Sequence, residues 1–347
     1  GALFALVCLA PPLAQAKEPQ RIKLVFTGDV AMNWRGTSAH LKVFPAHKNP
    51  LRFFAPVFKA ADLAVSNMEG VLMRRNPKYA EERLNLWAPW ASGQVFKPAG
   101  IGLVSTANNH AFDGRDKGVL ETLRHLRNTG VKVMGTGRTD AEARRPFLLR
   151  KGKACVAFIP ATTKTNKGVR GRARVAYYPK ARQDELRDLV RRTRASCAFV
   201  VVYIHWGTEK LHIPRTRIRR LARSLVDAGA SLVVGHHPHV LQGVERYKHG
   251  VIAYSLGNWV FSNPTLPTLR TGLLWVELSR TATPRILQVE LVPARSYRRD
   301  YTPKPTTPAQ TRDLLRRMQA YCRPFGTQVV LRRGRLVFLA PGEIQPP

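Results

Sequence analysis

The chain has 347 residues, 44% of them hydrophobic, and sets 57 Lys and Arg against 22 Asp and Glu for a formal charge of +35. That length and apolar content support one large packed domain or two small ones and exclude a disordered chain. The charge selects a polyanionic partner: an acidic polymer, a phosphoester, a lipid headgroup surface or nucleic acid. Zinc-finger spacing, an RNP-type aromatic motif and a basic zipper are all missing, so specific nucleic-acid binding is not expected.

In chain order, Gly1–Leu13 is an apolar run broken at Pro11-Pro12, and Ala14-Gln15-Ala16 before Lys17-Glu18 has the small-x-small form of an export cleavage site. Residues 1–16 are therefore read as a signal peptide without its basic leading segment, and a periplasmic or cell-envelope protein is expected. Arg21–Thr27, Asp62–Ser66 and Gly102–Thr106 read as apolar strands, the third followed by a helix through Gly118–Asn128 that stops at Gly130. Val131–Met134, Ala154–Ile159, Ala198–Ile204, Leu232–Val234 and Val251–Leu256 are further strands, and Arg215–Ala228 is a helix closed by Gly229. Strands alternating with helices indicate an α/β architecture.

Arg270–Arg295 alternates apolar and polar residues, as a hairpin around Thr281–Pro284 would. Pro303–Pro308 is a connector, Ala309–Cys322 a basic helix, and Val329–Val337 a second hairpin around Arg333-Gly334. The chain accordingly divides into a main domain over residues 17–298 and an extension, 299–347, packing on it. Thr162–Arg182 is basic, contains glycine and lacks a clear period, and reads as a loop or mobile flap. Cys155 and Cys197 lie in apolar runs where buried free thiols are expected. One disulfide among Cys155, Cys197 and Cys322 stays open, with no pairing set by the sequence.

Polar clusters directly follow the apolar strands: Gly28-Asp29, Asn67-Met68-Glu69-Gly70, Asn108-Asn109-His110 with Asp113, His205-Trp206-Gly207 with Glu209, Gly235-His236-His237-Pro238-His239, and Gly257-Asn258. Ligand sites of open α/β sheets form at the carboxyl ends of the strands, so these side chains can converge on one edge. Imidazole, carboxylate and amide oxygen without a Cys-x-x-Cys suit one or two Mn, Fe, Zn or Ni ions rather than a thiolate site. Such an ion polarises a phosphoryl or carbonyl oxygen. Arg35, shortly after Asp29, is placed to hold an anionic substrate oxygen. Plainer roles stay open: a helix cap for Asp29, turn positions for Asn67 and Asn258, a surface carboxylate for Glu69, a helix N-terminus for Asn109 and His110, a core position for His205.

The ordered set TGDV, SNMEG, STANNHAFD, YIHWGTE, GHHPHVLQGVE and YSLGN resembles the CapA family of poly-γ-glutamate capsule synthesis, over about Lys23 to Ser262. The resemblance implies a calcineurin-like four-layer α/β/β/α sandwich with mixed sheets and a small C-terminal helix-plus-hairpin extension. It also implies a metallophosphoesterase type of site, with Asp29, Asn109, His205, His237 and His239 as metal ligands and His110 as general acid; Asp113 and Arg35, by their places in the sequence, are further candidate catalytic residues. Ala31 stands where that superfamily has a histidine, and Glu69 or Asn67 stands near its bridging aspartate, so Glu69 is expected to bridge or the centre to hold one ion. Asn67, Glu209, His236 and Asn258 complete the expected site as substrate-binding residues. The implied function is an exported metal-dependent hydrolase acting on an anionic polymer or phosphoester, with an envelope membrane surface or polymer-synthesis machinery as further partners. The alternative is a non-catalytic basic envelope factor that binds or exports a polyanion.

Overall fold

The strand Arg21–Val30 is buried almost throughout because it runs through the middle of a ten-stranded sheet. It pairs in parallel with Leu63–Met68 and antiparallel with Arg270–Ser279. Ile101–Ser105 and Lys132–Met134 extend the parallel side. Ile286–Arg295 and the hairpin Gln328–Arg332/Arg335–Leu339 extend the antiparallel side. This computed structural model describes residues 21–32, 49–74, 86–166, 172–261, 265–281, 283–297 and 301–340. The expected export segment, residues 1–16, lies outside them.

The second sheet has six strands. Ala154–Thr162, Phe199–His205, Leu232–His236 and Gly250–Ala253 are parallel at its centre, and Phe147–Lys151 and Val244–Tyr247 are antiparallel at its edges. Parallel strands covered on both faces read as unbroken apolar runs, which is why this centre is visible in the sequence.

Alternation within each strand sorts the side chains into layers. Leu24, Phe26, Val65 and Leu103 meet Val156, Phe158, Val201 and Val234 between the sheets. Their neighbours Val25, Ala64 and Val104 turn outward onto Phe58, Phe96 and Leu126 of the helical segments. On the opposite side Ile159, Val200, Val202 and Val233 lie under Leu186 and Val190 of Gln183–Arg194 and Leu221 and Leu225 of Thr216–Asp227. The order is therefore helix, sheet, sheet, helix: a four-layer α/β sandwich. The helix Pro308–Cys322 starts in a capping box formed by Thr307 and Gln310. It sends Leu314, Met318 and Cys322 into the same inter-sheet core. No helix of the described residues is long and apolar enough to cross a membrane.

Two expectations change. Part of Thr162–Arg182 is ordered rather than a flap: Arg174–Val175 pairs with Thr136–Gly137, and Ala173, Val175, Ala176 and Tyr178 are buried. Asp116 accepts from the backbone of Arg172 and Ala173, so tertiary contacts hold a segment too short to show a period. Cys155 and Cys197 are not free thiols but a disulfide, with Cα atoms 4.8 Å apart. The register that pairs Val156 with Phe199 brings them together. Cys322 is a free buried thiol that accepts from the Val244 amide, and burial pushes it up to about 12.

Candidate metal centre

The parallel strands of both sheets end at one edge, and their last residues carry the polar clusters. Asp29 is the last but one residue of its strand, just after a shift in register with the neighbouring strand. The close approach there depends on Gly28, where a Cβ would lie 2.2 Å from the Gly257 carbonyl oxygen. The Asp29 amide donates to that oxygen at 2.8 Å. Asp29 Oδ1 accepts from Asn67 Nδ2 and His236 Nδ1, each at 2.8 Å, and Oδ2 accepts from the His237 backbone amide at 3.1 Å. His237 and His239 have φ of 96° and 58°, conformations that strain a non-glycine residue by about 1–3 kcal/mol each and concentrate at functional sites.

Glu69 lies at the centre. Its amide donates to Val30 O at 2.8 Å. Its carboxylate is fully buried, and neither oxygen has a hydrogen-bond partner among the described residues. Around Oε1 stand His239 Nε2 at 3.7 Å, His205 Nε2 at 3.8 Å and His110 Nε2 at 3.9 Å. Two groups able to hold a cation share this residue, Asp29–Glu69–His239 and Glu69–His205–His237. In the second, His205 Nε2 is 2.7 Å from Asn109 Oδ1 and 3.1 Å from His237 Nδ1. Ligand atoms about 2.1 Å from one tetrahedral or octahedral ion lie about 3.0–3.4 Å apart, and the nitrogens and oxygens here, 2.7–3.9 Å apart, bracket that spacing. Glu209, with His237 and His239, forms a third grouping at the exposed rim.

The electrostatics agree with that geometry. Burial, then the charges of Asp29, Glu209 and Asp113, holds the Glu69 carboxyl well above its usual range. Burial, then neighbouring imidazoles, holds His205 and His237 well below theirs. Burial pushes Asp29 upward, but the bond to His236 and the charges of His236 and His239 outweigh it and leave Asp29 below its ordinary value. His205 and His237 thus offer neutral imidazoles, the form that binds a metal, beside one carboxyl whose ionisation needs a cation.

The arrangement divides the expected site residues. Asp29, Glu69, Asn109, His205, His237 and His239 surround the gap. Asn67, His236 and Asn258, expected at the substrate, are instead buried behind these groups. Asn67 and His236 bond to Asp29, and Asn258 Oδ1 accepts from His239 Nδ1 at 2.8 Å, which turns His239 Nε2 toward Glu69. Asp113, expected in a direct catalytic role, lies behind His110, accepts from its Nδ1 at 2.6 Å and leaves Nε2 facing the centre. Glu209 stays at the rim, and Arg35 lies outside the described residues.

Two residues gain a role that the sequence did not assign, Asn108, named there only within its cluster, and Asn166. Asn108 donates to Met68 O at 2.8 Å, and its Oδ1 accepts from the His110 amide at 3.1 Å. Asn166 accepts from Asn109 Nδ2 at 3.0 Å, and its Nδ2 lies 3.3 Å from His110 Nε2. Asn166 sits at the carboxyl end of Ala154–Thr162, so the strand-end rule that found the other clusters applies to it as well. Ala31, at the position of the missing histidine, is buried and brings no donor side chain.

A family model described as bacterial capsule synthesis protein PGA_cap matches residues 23–263, a span that contains every residue of the centre. The PGA biosynthesis protein CapA of Bacillus subtilis is 31% identical over 236 residues, 67% of this chain and 62% of that protein, so the match spans under two thirds of that relative's length. The capsule biosynthesis protein CapA of Bacillus anthracis is 28% identical over 308 residues, covering 84% of this chain and 71% of that one. Among solved structures, the sulfate thiohydrolase SoxB of Thermus thermophilus superposes with a TM-score of 0.46 at 13% identity, over 91% of this chain and 61% of that one, too distant a likeness to inform the site. The match over residues 23–263 takes in the six-stranded sheet, the parallel side of the ten-stranded one and the whole metal centre, and by it the chain belongs to the bacterial capsule synthesis protein family PGA_cap.

Proposed function

We propose that this protein is a divalent-metal-dependent hydrolase of the cell envelope, acting in capsule synthesis on poly-γ-glutamate or a related anionic polymer. One observation carries the metal-dependent part: the orphaned, fully buried carboxylate of Glu69 between two ligand groups. Such a carboxylate is costly to bury without a cation. Asp29, Glu69 and His239 would hold one ion, and Glu69, Asn109, His205 and His237 a second, with Glu69 between them. A divalent ion supplies Lewis-acid polarisation of a phosphoryl or carbonyl oxygen when bound.

The chain's own groups do the rest. Asp113 accepts a hydrogen bond from His110 Nδ1, fixes the ring and directs Nε2 to the centre, where His110 hands a proton to the leaving group. His236 and Asn67 hold Asp29, and Asn258 holds His239, in ligating orientation. The capsule and polymer assignment draws on the names of the relatives and on the charge of +35. The Cys155–Cys197 disulfide supports an oxidising compartment, in keeping with the apolar leader.

Metal content of the purified protein, wild type beside His237→Ala/His239→Ala, tests the reading. One or two equivalents of Mn, Fe, Zn or Ni in the wild type, lost in the double variant, are expected. No metal in either protein after loading with those ions would sink it and favour a basic polyanion-binding factor without catalysis.

A further inference from the structure

We propose that Lys164 is the anion-recognition residue of this site: its ammonium, carried on a strap tied between the His205 and Asn109 sides of the centre, binds a carboxylate or phosphate group of the substrate other than the group that reacts. The proposal rests on the metal-centre reading for the identity of the reacting group, and the subsite itself stands on the geometry of the strap.

Thr162–Asn166 runs beside the centre and is tied at both ends to groups that border it. At one end the Thr163 amide donates to His205 O at 3.0 Å. The Thr162 hydroxyl lies 3.2 Å from the same oxygen and 2.9 Å from Lys164 O, and it accepts from the Lys164 amide at 3.1 Å. At the other end the Asn166 amide donates to Asn109 O at 3.1 Å, while its side chain links Asn109 and His110. Lys164 is therefore fixed between the His205 and Asn109 sides of the gap.

Its surroundings say what it waits for. Lys164 is half-buried, and burial pulls its ammonium below the usual lysine range. Its charge reaches His237, and it in turn feels Glu209 and a second cation, Arg217 at the start of Thr216–Asp227. Among the described residues it makes no ion pair. A partly desolvated cation that Glu209 attracts without forming an ion pair with it, next to a centre built to hold more positive charge, is further stabilised by an anion that joins it. A substrate with two oxyanion groups, one at the centre and the other at Lys164, satisfies both. Repeating carboxylates of an acidic polymer have that character, and so do phosphate groups.

The test is calorimetric titration of tri-γ-glutamate and of inorganic phosphate into wild type, Lys164→Gln and Lys164→Arg, each loaded with metal and metal-free, with metal content and circular dichroism recorded for all three. Loss of charge in Lys164→Gln is expected to weaken the recognised anion about tenfold or more at unchanged metal content and fold. Lys164→Arg is expected to keep it within about threefold. An effect on tri-γ-glutamate alone assigns the subsite to carboxylates, and an effect on phosphate alone assigns it to phosphates. Equal affinity of wild type and Lys164→Gln for both anions overturns the proposal, as does loss of metal in Lys164→Gln. A wild type that takes up no metal defeats the metal-centre reading instead, and Lys164-dependent anion binding in that metal-free protein would still uphold the subsite.

Discussion

Asn258 shows what separates a residue type from a role. In the sequence it is an asparagine after an apolar strand, as suited to a turn as to a substrate contact. In the structure its Oδ1 accepts a hydrogen bond from His239 Nδ1, so the imidazole meets Glu69 with its Nε2 lone pair. Removing such a partner typically lowers metal affinity 10–100-fold, because the ligand loses its fixed tautomer and orientation. Asn258→Ala is therefore expected to bind its metal about 10–100-fold more weakly while folding normally, as read by titration against a chelator of known affinity. Unchanged affinity would show that His239 needs no such support. The same distinction explains which residues were legible. Asp29, Asn109, His205, His237 and His239 stand out because imidazole and carboxylate clusters at strand ends are rare. Whether His236 or His237 faces the gap depends on backbone φ and on a bond to Asp29, and neither is written in residue order.

The elements place these residues through close backbone approach. The sequence ends two strands at Ile204 and Val234, but they run on to His205 and His236, so the site rides on the final residues of the sheet. Gly235 permits this. A Cβ there would lie 2.0 Å from the Tyr254 carbonyl oxygen and 2.5 Å from Trp206 Nε1, which itself donates to that oxygen at 3.0 Å. Backbone and a buried indole cannot both give way, so Gly235→Ala is expected to cost roughly 3 kcal/mol, at the upper end of overpacking effects. Urea denaturation reads this as a lower midpoint at unchanged slope; a wild-type midpoint would mean that the strands tolerate wider spacing. Parallel strands announced themselves by continuous apolar runs, and the hairpin Arg270–Ser279/Ile286–Arg295 by alternation. Arg174–Val175 did not, because two residues cannot display a period and their order comes from Thr136, Gly137 and Asp116.

At the scale of the molecule, the α/β class was readable from strand and helix alternation, while the covalent tie was not. Cys155 and Cys197 are 42 residues apart, and only the register of two adjacent strands makes them neighbours. Closing a loop of that length removes unfolded-state entropy worth about 4 kcal/mol. Cys155 stands at the start of Ala154–Thr162 and the metal centre beyond its end; seven residues of extended strand span about 23 Å. Stability and metal binding should therefore separate. Reduction of the wild type, or Cys155→Ser/Cys197→Ser, is expected to lower the unfolding free energy by about 4 kcal/mol and leave metal content unchanged, as followed by urea denaturation and elemental analysis. Equal loss in the reduced protein and the double variant would assign the effect to the cross-link rather than to the buried hydroxyls. Loss of metal in the reduced protein would instead show that the strand end at Thr162 shifts when its far end is freed, making the disulfide part of what keeps the centre assembled.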